Sequence, residues 1–187
     1  MLDAGARSRL AATRFADLRW FDTVDSTNAW LLARAREGAP EGLVAVADHQ
    51  GSGRGRLGRS WCSPPGASLL VSVLLRPLLD AEHLYLATAV VALAASDACR
   101  RETGVSPELK WPNDLTLGGG KLAGILAEAD VGASGIRAVV VGLGLNANWP
   151  PGAEDPALPP GAVALNQAVG FDVDRGRLLV AMLESLE

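Results

Sequence analysis

Gly53-Arg54-Gly55-Arg56-Leu57-Gly58-Arg59-Ser60-Trp61 packs three glycines and three arginines into seven positions and then closes on a tryptophan. How it is read decides the fold. Gly53, Gly55 and Gly58 match the spacing G-x-G-x-x-G, a dinucleotide fingerprint that requires a helix to open directly behind it. Here the chain continues Arg59-Ser60-Trp61-Cys62-Ser63-Pro64-Pro65-Gly66, which cannot propagate a helix because its prolines lack the N–H and clash with the preceding turn. The Rossmann reading fails on that ground. A disordered Arg/Gly tail that binds nucleic acid fails too, because the stretch lies between two apolar runs, Leu43 to Ala47 and Leu69 to Leu75, and so connects strands inside a folded domain. Two meanings stay open for the loop. It is either a solvated turn or an anion cradle, in which glycines supply positive φ and close approach while Arg54, Arg56 and Arg59 offer planar donor forks to phosphate or carboxylate.

Outward from this loop, the pattern alternates strands with a few helices. Leu18 to Phe21 reads as a strand, and Ser26 stands as an N-cap ahead of Trp30, Leu31 and Ala35 at helical spacing, up to Gly38-Ala39-Pro40. Leu43 to Ala47 and Ala67 to Leu75 are buried strands, the second ended by Arg76-Pro77. Asp80 to Thr103 is the longest helix, with Leu84, Ala87, Val91, Ala94 and Ala98 on one face and Gly104 past its end. Three further strands are expected at Leu109 to Leu117, Leu122 to Ala129 and Ile136 to Leu145, the first two joined as a hairpin by Gly118-Gly119-Gly120. Trp149 to Gly161, with prolines at 150, 151, 156, 159 and 160, reads as a loop, and Asp174 caps a last helix through Leu183. Residues 1–16 show no period and are expected as an arm or a short leading helix, with order beginning near Leu18. The order predicts an α+β fold with a mixed, largely antiparallel sheet flanked by helices.

Composition narrows the function classes. Seventeen Lys and Arg against 21 Asp and Glu give a net charge of −4, so the basic loop is a local exception and bulk nucleic-acid affinity is not expected. Cys62 and Cys99 offer neither a disulfide framework nor metal-ligand spacing, which points to the cytoplasm. His49 and His83 are too few and too far apart for a metal site. The uncharged stretch of the longest helix, Leu84 to Ser96, is far short of the ~20 residues of a membrane span, and the first fifteen residues lack the apolar core of a signal peptide. Trp20 and Trp30 are expected in the core.

Five motifs recur at strand ends: Ser26-Thr27-Asn28, the loop from Gly53 to Trp61, Lys110-Trp111-Pro112-Asn113-Asp114, Gly120-Lys121-Leu122-Ala123-Gly124-Ile125-Leu126 with Glu128 beyond, and Gly142-Leu143-Gly144-Leu145-Asn146. In this order and spacing, over roughly residues 18 to 150, they resemble the catalytic domain of the biotin protein ligases. The resemblance implies the class II aminoacyl-tRNA synthetase-like biotin/lipoate ligase fold and a two-step reaction. Biotin's carboxylate attacks the α-phosphate of ATP, supplied with Mg2+, and a lysine of a biotin carboxyl carrier protein domain then takes the biotinyl group from biotinyl-5'-AMP. Such chemistry calls for fixed cations and backbone donors more than for a general base.

Carried over by position, the resemblance places Ser26, Thr27, Asn28, Gln50, Arg54, Gly55, Arg56, Lys121 and Gly124 against biotin. Arg54, Arg56, Arg59, Trp61, Asn113, Asp114, Lys121 and Asn146 fall on the nucleotide side. Lys121, Arg56 and Asp114 are the expected catalytic groups, Lys121 because a compact ammonium meets both the carboxylate and the α-phosphate. Gly124 is expected to leave open the space for biotin's rings, and Trp61 to stack beside adenine. Residues 1–17 are expected as an N-terminal arm and 18–187 as the catalytic domain, a short form with no room for the SH3-like barrel that family members commonly carry and no DNA-binding domain. Without the barrel, a protein that captures biotin or its adenylate but does not transfer it stays an alternative, as does a lipoyl or octanoyl transferase of the related fold. Neither nucleic acid nor a membrane is expected as a partner, and an exposed sheet edge suits a homodimer or the carrier. Residues 51 to 60, with four glycines, are expected to be mobile when empty and ordered around the adenylate.

Overall fold

A seven-stranded sheet organises the protein in a computed structural model that describes residues 2–133, 135–150 and 160–187. In chain order the elements are α1 (Ala4–Leu10), β1 (Leu18–Val24), α2 (Thr27–Arg36), β2 (Val44–Gln50), β3 (Ser68–Leu75), α3 (Leu84–Thr103), β4 (Glu108–Lys110), β5 (Asp114–Leu117), β6 (Gly120–Gly132), β7 (Gly135–Asn146), α4 (Leu165–Val169) and α5 (Arg175–Leu186). The strands lie in the order β1-β2-β3-β7-β6-β5-β4. Only β1 and β2 are parallel, bridged by α2 as a crossover, and every other pairing is antiparallel. The sheet is therefore mixed and largely antiparallel, as the element order implied.

Alternation along the strands sends side chains into two layers. Val44, Val46, Leu69, Val71, Val73, Val139, Val141 and Leu143 face α3 and α5 in the main core, while Ala45, Leu74, Ala138 and Val140 face α2 with Leu31, Leu32 and Ala35. On the α2 side, β7 continues from Ala138 and Val140 to Gly142 and Gly144. The body of the helix covers the first pair, and only its first turn, through Asn28, reaches over Gly142. This glycine end becomes the floor of the site.

Three expectations change in the structure. Of the arm or short leading helix expected at the start, the structure shows the helix, α1, which packs against α5, and Leu10 and Phe15 are buried; order and core therefore begin ahead of Leu18 rather than near it. The single strand expected over Leu109 to Leu117 is two strands, β4 and β5, which fold back on each other with Lys110 opposite Asp114 around the turn Trp111–Asn113. Pro112 cannot donate to a ladder, and Asn113 spends its groups on Ile125 instead. The β5–β6 hairpin turns on Gly118 and Gly119, both at positive φ (57° and 83°), as a two-residue hairpin turn requires, and α4 had no counterpart in the sequence reading. Residues 151–159 of the proline-rich stretch lie outside the described residues. Trp20 and Trp30 are partly buried against the two core layers, Trp30 edge-on to Phe21 at 5.1 Å. Among the described residues no helix is long and apolar enough to cross a membrane.

Candidate active site

A cavity of about 380 Å³ opens over the glycine end of β6 and β7, within the ~300–1,000 Å³ typical of small-molecule sites. Three elements converge on it. The first turn of α2 brings Ser26, Thr27 and Asn28, the segment after β2 folds over the top, and the β5–β6 hairpin brings Asp114 and Lys121.

One end of the cavity is built from amides and hydroxyls. Ser26 caps α2 by accepting from the Ala29 N–H at 3.4 Å. Gln50 Oε1 accepts from both the Thr27 N–H (2.7 Å) and its hydroxyl (3.0 Å), so the Gln50 NH2 keeps its donors for the cavity. Ser72, fully buried on β3, places its hydroxyl 2.7 Å from Thr27 Oγ1 and 2.6 Å from Asn28 Oδ1. Asn28 donates in turn to the Leu126 carbonyl and to Glu128. With the Thr27 and Asn28 side chains and the Gln50 oxygen engaged, this end is rigid and geometrically specific.

The other end carries charge. Lys121 Nζ stands 2.8 Å from Asp114 Oδ1 and 5.8 Å from the Trp61 ring centroid. Its backbone is pinned, because its N–H donates to Gly161 and its carbonyl accepts from Val163. Arg56 reaches across from the loop to donate to Asn113 Oδ1 at 3.1 Å. Arg54, two residues earlier, instead pairs with Glu128 at 3.0 Å. The two arginines thus straddle the cavity, Arg54 above the amide end and Arg56 above the lysine end. Arg54, Arg56, Arg59 and Lys121 line the space with Asp114, and Glu128 pairs with Arg54 at its rim; the remaining excess of cations makes the cavity attractive to anions. Among the described residues no group of three or more His, Cys, Asp or Glu side chains gathers as a metal site.

The loop itself is a small closed ladder. Arg54 bridges Ser60, Gly55 N–H donates to the Arg59 carbonyl at 2.7 Å, and Trp61 N–H donates to Gly53 at 2.9 Å. Of the three glycines expected to need positive φ, only Gly58 has it, at 73°. Gly53 is needed for close approach, because a Cβ there would overlap the Trp61 carbonyl. Gly55 is extended at φ −122° with room for a Cβ.

The main cavity brings together every predicted site residue except Asn146, which lines a small adjoining space with Trp61 and Lys121. Asn146 is 2% exposed and donates to the carbonyls of Val163 (2.9 Å) and Lys121 (3.4 Å), so it supports the Lys121 backbone from behind. Gly124 lines the cavity edge beside the indole of Trp61. The space over it is taken by the Trp61 ring, since a Cβ on Gly124 would lie 2.9 Å from Trp61 Cζ3 and one on Gly144 would lie 2.7 Å from Nε1. A flat ring can lie on a sheet only where Cβ atoms are missing. The indole N–H is buried there with no acceptor among the described residues. Sequence reasoning gave no role to Ser72, Glu128, Gly142 or Gly144. Glu128 and the two glycines stood inside recognised motifs, and the i, i+2 spacing of Gly142 and Gly144 marks one strand face; Ser72 has no signal in its apolar run.

Comparison with known proteins agrees with this arrangement. The model of the biotin/lipoate A/B protein ligase family matches residues 20–146. The biotin–[acetyl-CoA-carboxylase] ligase of Mycobacterium tuberculosis is 41% identical over 170 residues, covering 87% of this chain and 59% of that protein. The bifunctional ligase/repressor BirA of Bacillus subtilis is 34% identical over 170 residues, covering 91% of this chain and 52% of that protein. The chain thus spans little more than half the length of these relatives. Among solved structures, the biotin protein ligase of Aquifex aeolicus in complex with biotin and ATP superposes with a TM-score of 0.75 at 32% identity, over 92% of this chain and 69% of that one, which places the sheet in the class II aminoacyl-tRNA synthetase-like fold. By the extent of the family match and the agreement of the fold, this chain belongs to the biotin/lipoate A/B protein ligase family.

Proposed function

We propose that the chain is the catalytic domain of an ATP-dependent biotin protein ligase. One observation carries the reading: a single cavity joins a rigid amide and hydroxyl end at Thr27, Asn28 and Gln50 to a cationic end at Lys121 and Arg56. Biotin has the matching polarity, with a neutral ureido head and an anionic tail. Thr27 and the free Gln50 NH2 meet the head, and Lys121 and Arg56 meet the carboxylate and the α-phosphate. The buried Trp61 N–H is a donor in want of an acceptor, which a ligand supplies.

In the first step a carboxylate oxygen of biotin forms a bond to the α-phosphorus, and the bond to the bridging oxygen breaks to release pyrophosphate. Negative charge gathers on the phosphoryl oxygens. Lys121, held by Asp114 at 2.8 Å, and Arg56, held by Asn113, are oriented before the charge develops, which is where electrostatic catalysis gains most. Magnesium travels with ATP as the counter-ion of its phosphates. In the second step the amine of a carrier-domain lysine attacks the mixed anhydride, an amide forms, AMP leaves and the amine loses a proton. Asp114 is the carboxylate placed to orient that amine.

Past Ile125, β6 pairs with β7 alone among the described residues, and this open edge is where a carrier domain or a second copy adds by strand pairing. The net charge of −4 and the two free cysteines suit a cytoplasmic protein without nucleic-acid or membrane partners. Incubation with biotin, ATP, magnesium and a biotin carboxyl carrier domain tests the reading by mass spectrometry. A gain of one biotinyl group on the carrier is expected. An unmodified carrier alongside continued pyrophosphate release would restrict the chain to the first step.

A further inference from the structure

Glu128, which lies outside the loop, bonds to both the floor of the cavity and its roof. Its Oε2 accepts from Asn28 Nδ2 at 2.8 Å, and its Oε1 pairs with Arg54 Nη1 at 3.0 Å. Asn28 belongs to the buried triplet beneath the cavity, and Arg54 to the loop above it. Behind Asn28 the chain of hydrogen bonds continues through Ser72 to Thr27 and Gln50. Apart from the Trp61 ring, which rests on Gly124 and Gly144, the loop's side chains reach the rest of the described residues through two arginines, Arg54 on Glu128 and Arg56 on Asn113, and only the first is an ion pair. Among the described residues, β6 has no neighbour at Glu128 on the side away from β7, and the Glu128 side chain is 24% exposed at the cavity rim.

From this placement we infer that Glu128 is a positioning residue: one carboxylate sets both the orientation of Asn28 and the closure of the Gly53–Trp61 loop. An oriented floor and a closed roof then come together, because the same group holds both. This deepens the ligase reading and rests on it for its effect on biotin, but not for its effect on the loop. Glu128 touches no reacting atom, so its loss weakens capture of biotin and leaves the chemical step alone.

Two variants separate the contacts. Glu128→Gln keeps an acceptor for Asn28 and loses the charge that holds Arg54, and Glu128→Ala loses both. Amide exchange of residues 51–60 in the ligand-free protein is expected to quicken by about threefold to tenfold in Glu128→Gln, the scale of a half-exposed, charge-assisted pair, with no further change when Arg54→Gln is added. With biotin and ATP, KM for biotin is expected to rise by about the same factor while kcat for pyrophosphate release stays within twofold, and Glu128→Ala is expected to bind biotin more weakly than Glu128→Gln. Unchanged loop exchange in Glu128→Gln, or additive effects of the Arg54 and Glu128 changes, would overturn the inference. So would a fall in kcat at constant KM. If no form of the protein releases pyrophosphate, the ligase reading fails by itself, and loop exchange still decides the role of Glu128.

Discussion

Replacing Gly142 with alanine tests whether bare strand faces build the site. Gly142 lies on β7 under the first turn of α2 and is absent from the residues at positive φ, so alanine suits its backbone and the whole effect is steric. The added Cβ would overlap Asn28 Oδ1 outright and stand 3.0 Å from Asn28 Cγ and 3.1 Å from Ser72 Oγ, where ordinary contact begins at 3.4 Å. The Asn28 head has to retreat. Its bonds to Ser72 (2.6 Å) and Glu128 (2.8 Å) cannot both survive, and at 4% exposure water does not replace them. One buried polar group left unsatisfied costs about 1–3 kcal/mol, which for a protein of this size lowers Tm by roughly 2–10 °C. Because the displaced amide belongs to the biotin end of the cavity, Kd for biotin is expected to rise by about tenfold or more, since 1.4 kcal/mol is a factor of ten. Differential scanning calorimetry and titration calorimetry with biotin measure the two. A Tm within 1 °C of the parent and a Kd within twofold, on the scale set by those costs, would refute the reasoning.

Three further outcomes follow from features away from the floor. Burial pushes the Cys99 thiol up to about 12, whereas Cys62 is exposed, so a thiol reagent at pH 8 is expected to modify Cys62 alone in the native protein and both cysteines after unfolding; rapid native labelling of Cys99 would contradict its placement. Hydrogen bonds from Arg137 to Asp130, from Arg9 to Glu184 and from Arg100 to Asp97 hold these carboxyls below their usual range. Their stabilisation is complete above the unfolded carboxylate range near pH 4 and is lost as pH falls through the depressed folded values, so denaturant midpoints should be flat from pH 7 to 5 and drop below about 4; a decline that starts near pH 6 would point to other groups. Biotin with ATP is expected to slow amide exchange across residues 51–60 relative to the empty protein, and unchanged exchange there would remove closure of the loop from the account.

Much of this molecule is legible from local chemistry. Ser26 announces α2 as its N-cap, Gly118-Gly119 announces the β5–β6 hairpin, and the prolines behind Gly58 rule out a helix after the loop. These features act within a few residues, where the amino acids themselves dictate φ and hydrogen bonding. What escaped is non-local. Glu128 meets Arg54 and Asn28 across 74 and 100 positions, and Ser72 joins Thr27 and Asn28 from inside an apolar strand that gives no hint of a polar task. Asn146 illustrates the same limit, because its motif places it at a strand end but not on which side of Lys121 its amide turns. The break between β4 and β5 was readable in principle from Pro112, which cannot sit inside a paired strand, but the apolar alternation on either side outweighed it. Trp61 over Gly124 and Gly144 needed the register of β6 against β7, Gly124 opposite Gly144, before the two glycines became one surface.

The most direct test of the central claim is biotin-dependent pyrophosphate release from ATP and magnesium, with Lys121→Ala measured beside the parent chain. The account predicts release that requires biotin, is not supported by lipoate, and falls by at least about a hundredfold in Lys121→Ala, the scale on which losing one preorganised charge stabiliser acts. Release that ignores biotin, or that persists at the parent rate without Lys121, would contradict it.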